Sequence, residues 1–174
     1  MLISKEMNAA INQQIGNELG ASNQYVSIAT YFDGEGLPAL AQHFYRQAEE
    51  EREHAMKFVK YLVDADGEVH IPAIAAPRDG FRSAEEAVQL SLDWELEVTK
   101  QINGLVDRAV KENDHMTKAL LDWFVTEQLE EVSSMDTLLR MVRRAGESGL
   151  LFVEQYLSRG GRGAAQATAM GDDD

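Results

Sequence analysis

The chain has 174 residues, 44% of them hydrophobic, with a formal net charge of −14 and no cysteine. That length suits one domain with a sizeable core, and no internal linker divides it. The acidity argues against nucleic-acid binding, which needs a basic face, and the missing thiols exclude disulfides, thiolate metal sites and cysteine nucleophiles. No apolar run reaches membrane-spanning length. MLISKEMNAAINQQ lacks the basic start and long apolar stretch of a signal peptide. A cytoplasmic protein with no membrane partner is the expectation.

All three prolines, Pro38, Pro72 and Pro77, fall at breaks in helical periodicity. The first predicted helix, A, runs from about Ser4 to Asp33 and closes at Gly34-Glu35-Gly36. Pro38 suits the first position of helix B, which continues to about Asp64 and ends by Gly67. EVHIPAIAAPRDGFR follows as a long loop. Helix C opens at Ser83 with the capping box Ser83-Ala84-Glu85-Glu86 and reaches about Asn113. Helix D follows a very short break and runs to about Ala145; a short fifth helix covers Leu150 to Ser158. Residues 160–174, rich in Gly and Ala, read as a disordered tail, leaving 1–159 as the domain.

The tight A–B and C–D connections make two antiparallel hairpins. The B–C connection is long enough to span a bundle and bring C parallel to B. The predicted fold is all-α: a ferritin-like four-helix bundle with a long B–C crossover and a short fifth C-terminal helix. Gly16, Gly20 and Gly104, inside helices A and C, each cost about 1 kcal/mol relative to Ala and are expected to mark close helix packing.

A bundle helix buries a seam of residues spaced alternately three and four apart. On helix A the seam reads Ile11, Ile15, Glu18, Ser22, Tyr25, Ala29, Phe32; on B, Phe44, Ala48, Glu51, Ala55, Phe58. On C it reads Val88, Leu92, Glu95, Val98, Ile102; on D, Phe124, Gln128, Glu131, Met135, Leu138. Each helix therefore carries a carboxylate in the middle of a mostly apolar seam, and none of these seams holds Lys or Arg. A buried ionised carboxylate costs several kcal/mol even after relaxation, against a whole-domain stability of about 5–15 kcal/mol. Shared protons relieve one or two such groups; metal cations relieve all four.

Spacing supplies a second signal. Glu18 to Glu51 and Glu95 to Gln128 are both 33 residues, while Glu18 to His54 and Glu95 to Glu131 are both 36. Each hairpin thus repeats a Glu on its first helix and a polar pair at i, i+3 on its second, which share one face. That is the arrangement of carboxylate-bridged two-metal bundles, with Gln128-x-x-Glu131 replacing the second Glu-x-x-His. Hard oxygen donors with one imidazole suit iron.

At NELGASNQY (17–25), EEEREHAM (49–56), the helix around Glu95 and DWFVTEQLEE (122–131) the sequence resembles the bacterial non-haem ferritins, over nearly its whole length. The resemblance implies that Glu18, Glu51 and His54 bind one iron, and that Glu51, Glu95 and Glu131 bind the other, with Glu51 bridging. It implies a role for Gln128 beside the site, toward water or the oxidant. It makes Tyr25 the near-site tyrosine, a position that a core aromatic also explains. Glu50, Glu127 and Glu130 fall where the family has a third iron site, or they form a solvated acidic face. Trp123 reads as packing, and His43, His70 and His115 as surface residues. Lys118 and Leu121 stand near the positions of the acids that line the threefold pore of animal ferritins. Haem-binding relatives carry a methionine where Arg52 stands here, so no haem is expected.

The implied function is iron storage with ferroxidase activity: Fe(II) is oxidised at a di-iron centre by dioxygen or peroxide, and Fe(III) mineral is held in a shell of 24 subunits. Two other classes compete. One is a di-iron or di-manganese oxidase or peroxidase, told apart by activity on an organic substrate. The other is a non-enzymatic helical stress-protection protein, told apart by the absence of bound metal in equilibrium dialysis.

Overall fold

The computed structural model describes residues 2–160. Five α-helices and no strand occur among them: α1 (Lys5–Gly34), α2 (Pro38–Asp64), α3 (Ala84–Glu112), α4 (His115–Ala145) and α5 (Leu150–Ser158), with a single 3-10 turn at Glu147–Gly149 before α5. The tail expected beyond Gly160 lies outside the described residues.

Each helix start has an identifiable cause. The Ser4 hydroxyl accepts from Met7 N at 2.9 Å, Ser83 from Glu86 N at 3.1 Å, and the Asp114 carboxylate from Thr117 N at 2.9 Å. Only half of the expected capping box forms at Ser83: the Glu86 carboxylate takes the N–H of Arg82, one residue earlier, at 2.8 Å. Helix α2 begins at Pro38 behind Leu37, which has no capping side chain. Its cap comes from α5 instead, where Glu154 accepts from Ala39 N and Leu40 N at 2.8 and 2.7 Å. Asn113, left-handed at φ 55°, turns α3 into α4, and Gly146 at φ 62° closes α4.

Residues 65–83 form no helix and run alongside α1. Asn8 and Asn12 hold Glu68, Gly16 faces Pro72, Gly20 faces Ile74, and Gln24 brackets Arg78 through its N–H and carbonyl. The crossover therefore climbs α1 from bottom to top and delivers α3 parallel to α2. It also explains Gly16: a β-carbon there would sit 2.3 Å from Cγ of Pro72. The close neighbour is the crossover rather than a helix. Gly20 does meet α3, with its β-carbon position 3.6 Å from Trp94. Gly104 has nothing within 4 Å, so close packing is not its reason.

Hairpin α1–α2 packs on hairpin α3–α4, and α5 rests on α2 and α4. The interior holds two apolar clusters. One contains Tyr25, Phe32, Phe44, Val88, Leu92, Met135 and Leu138; the other contains Ile11, Ile15, Ala55, Phe58, Val98, Ile102, Leu121 and Phe124. On every long helix the break between them falls at the polar seam positions, so one polar belt crosses the bundle at a single height.

Candidate metal centre

The belt is built from one helical turn of each long helix. Glu18 and Glu51 are each 1% exposed, Glu95 0%, Glu131 6%, His54 3% and Gln128 3%. Among the described residues, no Lys or Arg is buried. Burial is the main cause of every shift here. It pushes Glu18 up to about 7, a rise that hydrogen bonds with Glu51 and Gln14 oppose and the Glu95 charge reinforces. Glu51 is raised well above the carboxylate range by burial and then by the charges of Glu95 and Glu18. Glu131 is pushed up to about 8 by burial and the Glu95 charge, and Glu95 is raised by burial. His54 is lowered to about 4 by burial and then by Lys57, so its imidazole is neutral near pH 7.

Positions within the belt differ from one another. Glu18, Glu51 and His54 place ligand atoms within 4.8 Å of one another, with His54 Nδ1 3.5 Å from Glu51 Oε2. His54, Glu127 and Glu131 form a second such group, in which His54 Nε2 lies 3.9 Å from Glu127 Oε1. Glu95 belongs to neither group. Its carboxylate accepts from the fully buried Tyr25 hydroxyl and, at 3.1 Å, from Gln128 Nε2. Tyr25 is held protonated by burial and by the nearby Glu95 and Glu51 charges, which all raise its pKa. It therefore acts here as a donor to Glu95 as well as a core aromatic.

Glu127, read from sequence as a third-site iron ligand or part of a solvated acidic face, thus stands against His54. Glu50 and Glu130 are exposed and line a cavity of about 460 Å³ beside the belt, together with Glu127 and Glu131. His43 also lines that cavity and is half-buried, not fully exposed: its Nε2 is buried without a partner. His70 and His115 are exposed, as expected. Leu121 is fully buried, so its side chain cannot line a pore. Trp123 packs edge-on against His54, ring centroids 5.5 Å apart, with Lys57 over its other side at 4.3 Å.

Three buried atoms of the belt have no hydrogen-bond partner: Glu18 Oε2, Glu51 Oε1 and His54 Nδ1. Orphaned buried polar atoms are costly, and these three converge in one cluster that offers lone pairs to a cation. Residues 8–145 match the ferritin-like domain.

The chain belongs to the ferritin family.

It is 46% identical over 157 residues to ferritin BfrB of Mycolicibacterium smegmatis, covering 90% of this chain and 86% of that protein. It is 32% identical over 158 residues to the bacterial non-heme ferritin of Bacteroides fragilis, covering 91% and 99%. Among solved structures, the open pore ferritin of Archaeoglobus fulgidus superimposes with a TM-score of 0.87 at 35% identity, covering 90% of this chain and 96% of that one. This ferritin therefore shares its bundle, crossover and fifth helix with a family of known structure. No helix among its described residues is long and apolar enough to cross a membrane.

Proposed function

We propose that this ferritin stores iron and is a ferroxidase. It binds two Fe(II) in the belt, oxidises them with dioxygen or peroxide, and passes Fe(III) to a mineral held in a shell of 24 copies. The observation that carries this reading is the belt itself: the carboxylates of Glu18, Glu51, Glu95 and Glu131 and one neutral imidazole, buried between two apolar clusters without a basic partner.

Without metal, the belt is tolerable only when it is partly protonated, as the raised carboxylates show. Two Fe(II) carry four positive charges, which balance four carboxylates, so binding expels the shared protons. Glu51, grouped with Glu18 and His54, would bridge the two irons, while His54 is the residue that both ligand groups contain. Glu18 and His54 complete one iron position; Glu131, Glu95 and the nearby Glu127 serve the other. Gln128 and Tyr25 orient Glu95 by donating to it. Each Fe(II) gives up one electron. Dioxygen takes both electrons with two protons to form hydrogen peroxide; peroxide, as oxidant, takes two electrons and two protons to form two waters.

The cavity beside the belt favours storage over oxidation of an organic substrate, because acids line it on the belt side. Position 52 is the exposed Arg52, which offers no thioether to haem. Leu151 and Phe152 on α5 are 73% and 76% exposed, an apolar surface suited to burial between subunits. Native mass measurement with iron analysis tests the assignment. A particle of 24 chains that gains iron when Fe(II) and air are supplied is expected. A stable monomer that gains none would contradict it.

A further inference from the structure

The cavity beside the belt has a second end that the chemistry above does not use. It runs between α2, α4 and α5, from Glu131 and Glu127 at the belt to Tyr156 and Leu157 of α5. Four side chains of α2 line it: His43 and Gln47 one helical turn apart, the exposed Arg46 between them in sequence, and Glu50 in the next turn. Gln47 is 6% exposed, and its Oε1 is buried without a partner. His43 packs edge-on against Phe44, ring centroids 5.1 Å apart, and its Nε2 is likewise buried and unpartnered.

The Gln47 amide has a fixed sense. Its NH2 group donates to the Glu50 carboxylate and also bonds Glu131. The donation to Glu50 places the amide nitrogen on the acid side. That turns Oε1 away from the acids, as an acceptor with nothing to accept from. One turn along the same helix face, His43 presents a ring nitrogen in the same condition. The two residues lie one helical turn apart and line the same cavity, so one ligand held there can satisfy both atoms.

We propose that His43 Nε2 and Gln47 Oε1 together bind a divalent transition-metal cation, at a site one helical turn beyond the acids of the cavity and toward α5. An oxygen and an imidazole nitrogen, both uncharged, make a weak ligand pair for a borderline cation. The acids of the cavity raise the local cation concentration, and the neutral pair gives an ion a foothold without trapping it. Burial, with Arg46 nearby, lowers His43 to about 4, so the imidazole carries no charge that would repel the ion near pH 7. The site thus gives iron a resting place between the belt and the α5 end of the cavity. It rests on the reading of the belt as an iron centre.

Crystals of the full protein soaked in cobalt(II), an air-stable stand-in for Fe(II), test it by anomalous diffraction at the cobalt edge. The expected map has peaks in the belt and a separate peak between His43 and Gln47. In H43L, which keeps an apolar contact with Phe44, that separate peak is lost and the belt peaks remain. The wild-type map decides occupancy by itself, whatever the variant does. Belt peaks alone, or a water without anomalous signal between His43 and Gln47, would overturn the inference and leave the ferroxidase reading intact. Peaks at neither place would overturn both, and a separate peak that survives in H43L would show that His43 is not its ligand.

Discussion

Gln128 donates from Nε2 to the Glu95 carboxylate at 3.1 Å and to the main-chain oxygen of the same residue at 3.2 Å. Thr99 closes the group, its hydroxyl 2.8 Å from that same oxygen. Where the repeat would place the first residue of a second Glu-x-x-His, position 128 thus holds the Glu95 carboxylate by donating to it.

Replacing Gln128 with Leu removes those donors while nearly keeping the volume. The iron position served by Glu95 should bind about 10–100-fold more weakly, the usual cost of losing a partner that orients a ligand. The Glu18–Glu51–His54 position should change little. Anaerobic Fe(II) titration checks this: wild type shows two unequal steps per subunit, and Gln128→Leu drives them further apart. Unchanged steps would remove Gln128 from the site.

The metal-free protein should become more stable as pH falls from about 8.5 to about 6.5. Glu18 and Glu131 have folded-state pKa values of about 7 and about 8, raised above the ordinary carboxylate value of 4.5. A raised carboxylate binds a proton in the folded state before it does in the unfolded one, so its penalty grows as pH rises through the folded pKa and vanishes below the unfolded one. His54 and His43, both lowered to about 4 from the ordinary imidazole value of 6.5, act in the opposite direction, but only below about 6.5. Thermal unfolding of the apo-protein across this window checks the sign. With divalent metal bound, the dependence should flatten or reverse, because metal competes with those protons.

Gly16 and Gly104 should respond oppositely to alanine. Gly16→Ala drives a methyl into the ring of Pro72, 2.3 Å from Cγ, and should destabilise by about 1–3 kcal/mol, as overpacking does. Gly104→Ala meets nothing within 4 Å and should stabilise by roughly 0.5–1 kcal/mol through helix propensity. Melting temperatures of the two variants decide it; a neutral Gly16→Ala would mean that the crossover is not seated on α1 as described.

The helices were legible because their boundaries are local. Ser4, Ser83 and Asp114 cap, Pro38 starts, and Asn113 and Gly146 turn the chain. The belt was legible because an acid in an apolar seam is a violation that only burial makes costly. What escaped the sequence depends on distant packing. The reason for Gly16 is Pro72, brought to it by a loop with no periodicity. His43 lies off the α2 seam, and only α4 and α5 complete the cavity in which its Nε2 is buried. Glu127 read as a third-site ligand or a solvated acid, and only the side-by-side placement of α2 and α4 brings it to 3.9 Å from His54.

The most direct measurement is stopped-flow oxidation of two Fe(II) per subunit with oxygen uptake recorded, comparing wild type with Glu51→Ala and His54→Ala. Neither variant should lose its helices, since Glu51→Ala removes a buried carboxylate and its desolvation cost and His54→Ala removes a buried, unpartnered Nδ1; circular dichroism verifies that. Wild type should consume one O2 per two Fe(II) in a fast phase. Loss of a direct ligand exceeds the 10–100-fold cost of losing an orienting partner, so the variants should be slower by at least about 100-fold. Wild-type rates in both folded variants would contradict the assignment of the belt as the site of iron oxidation.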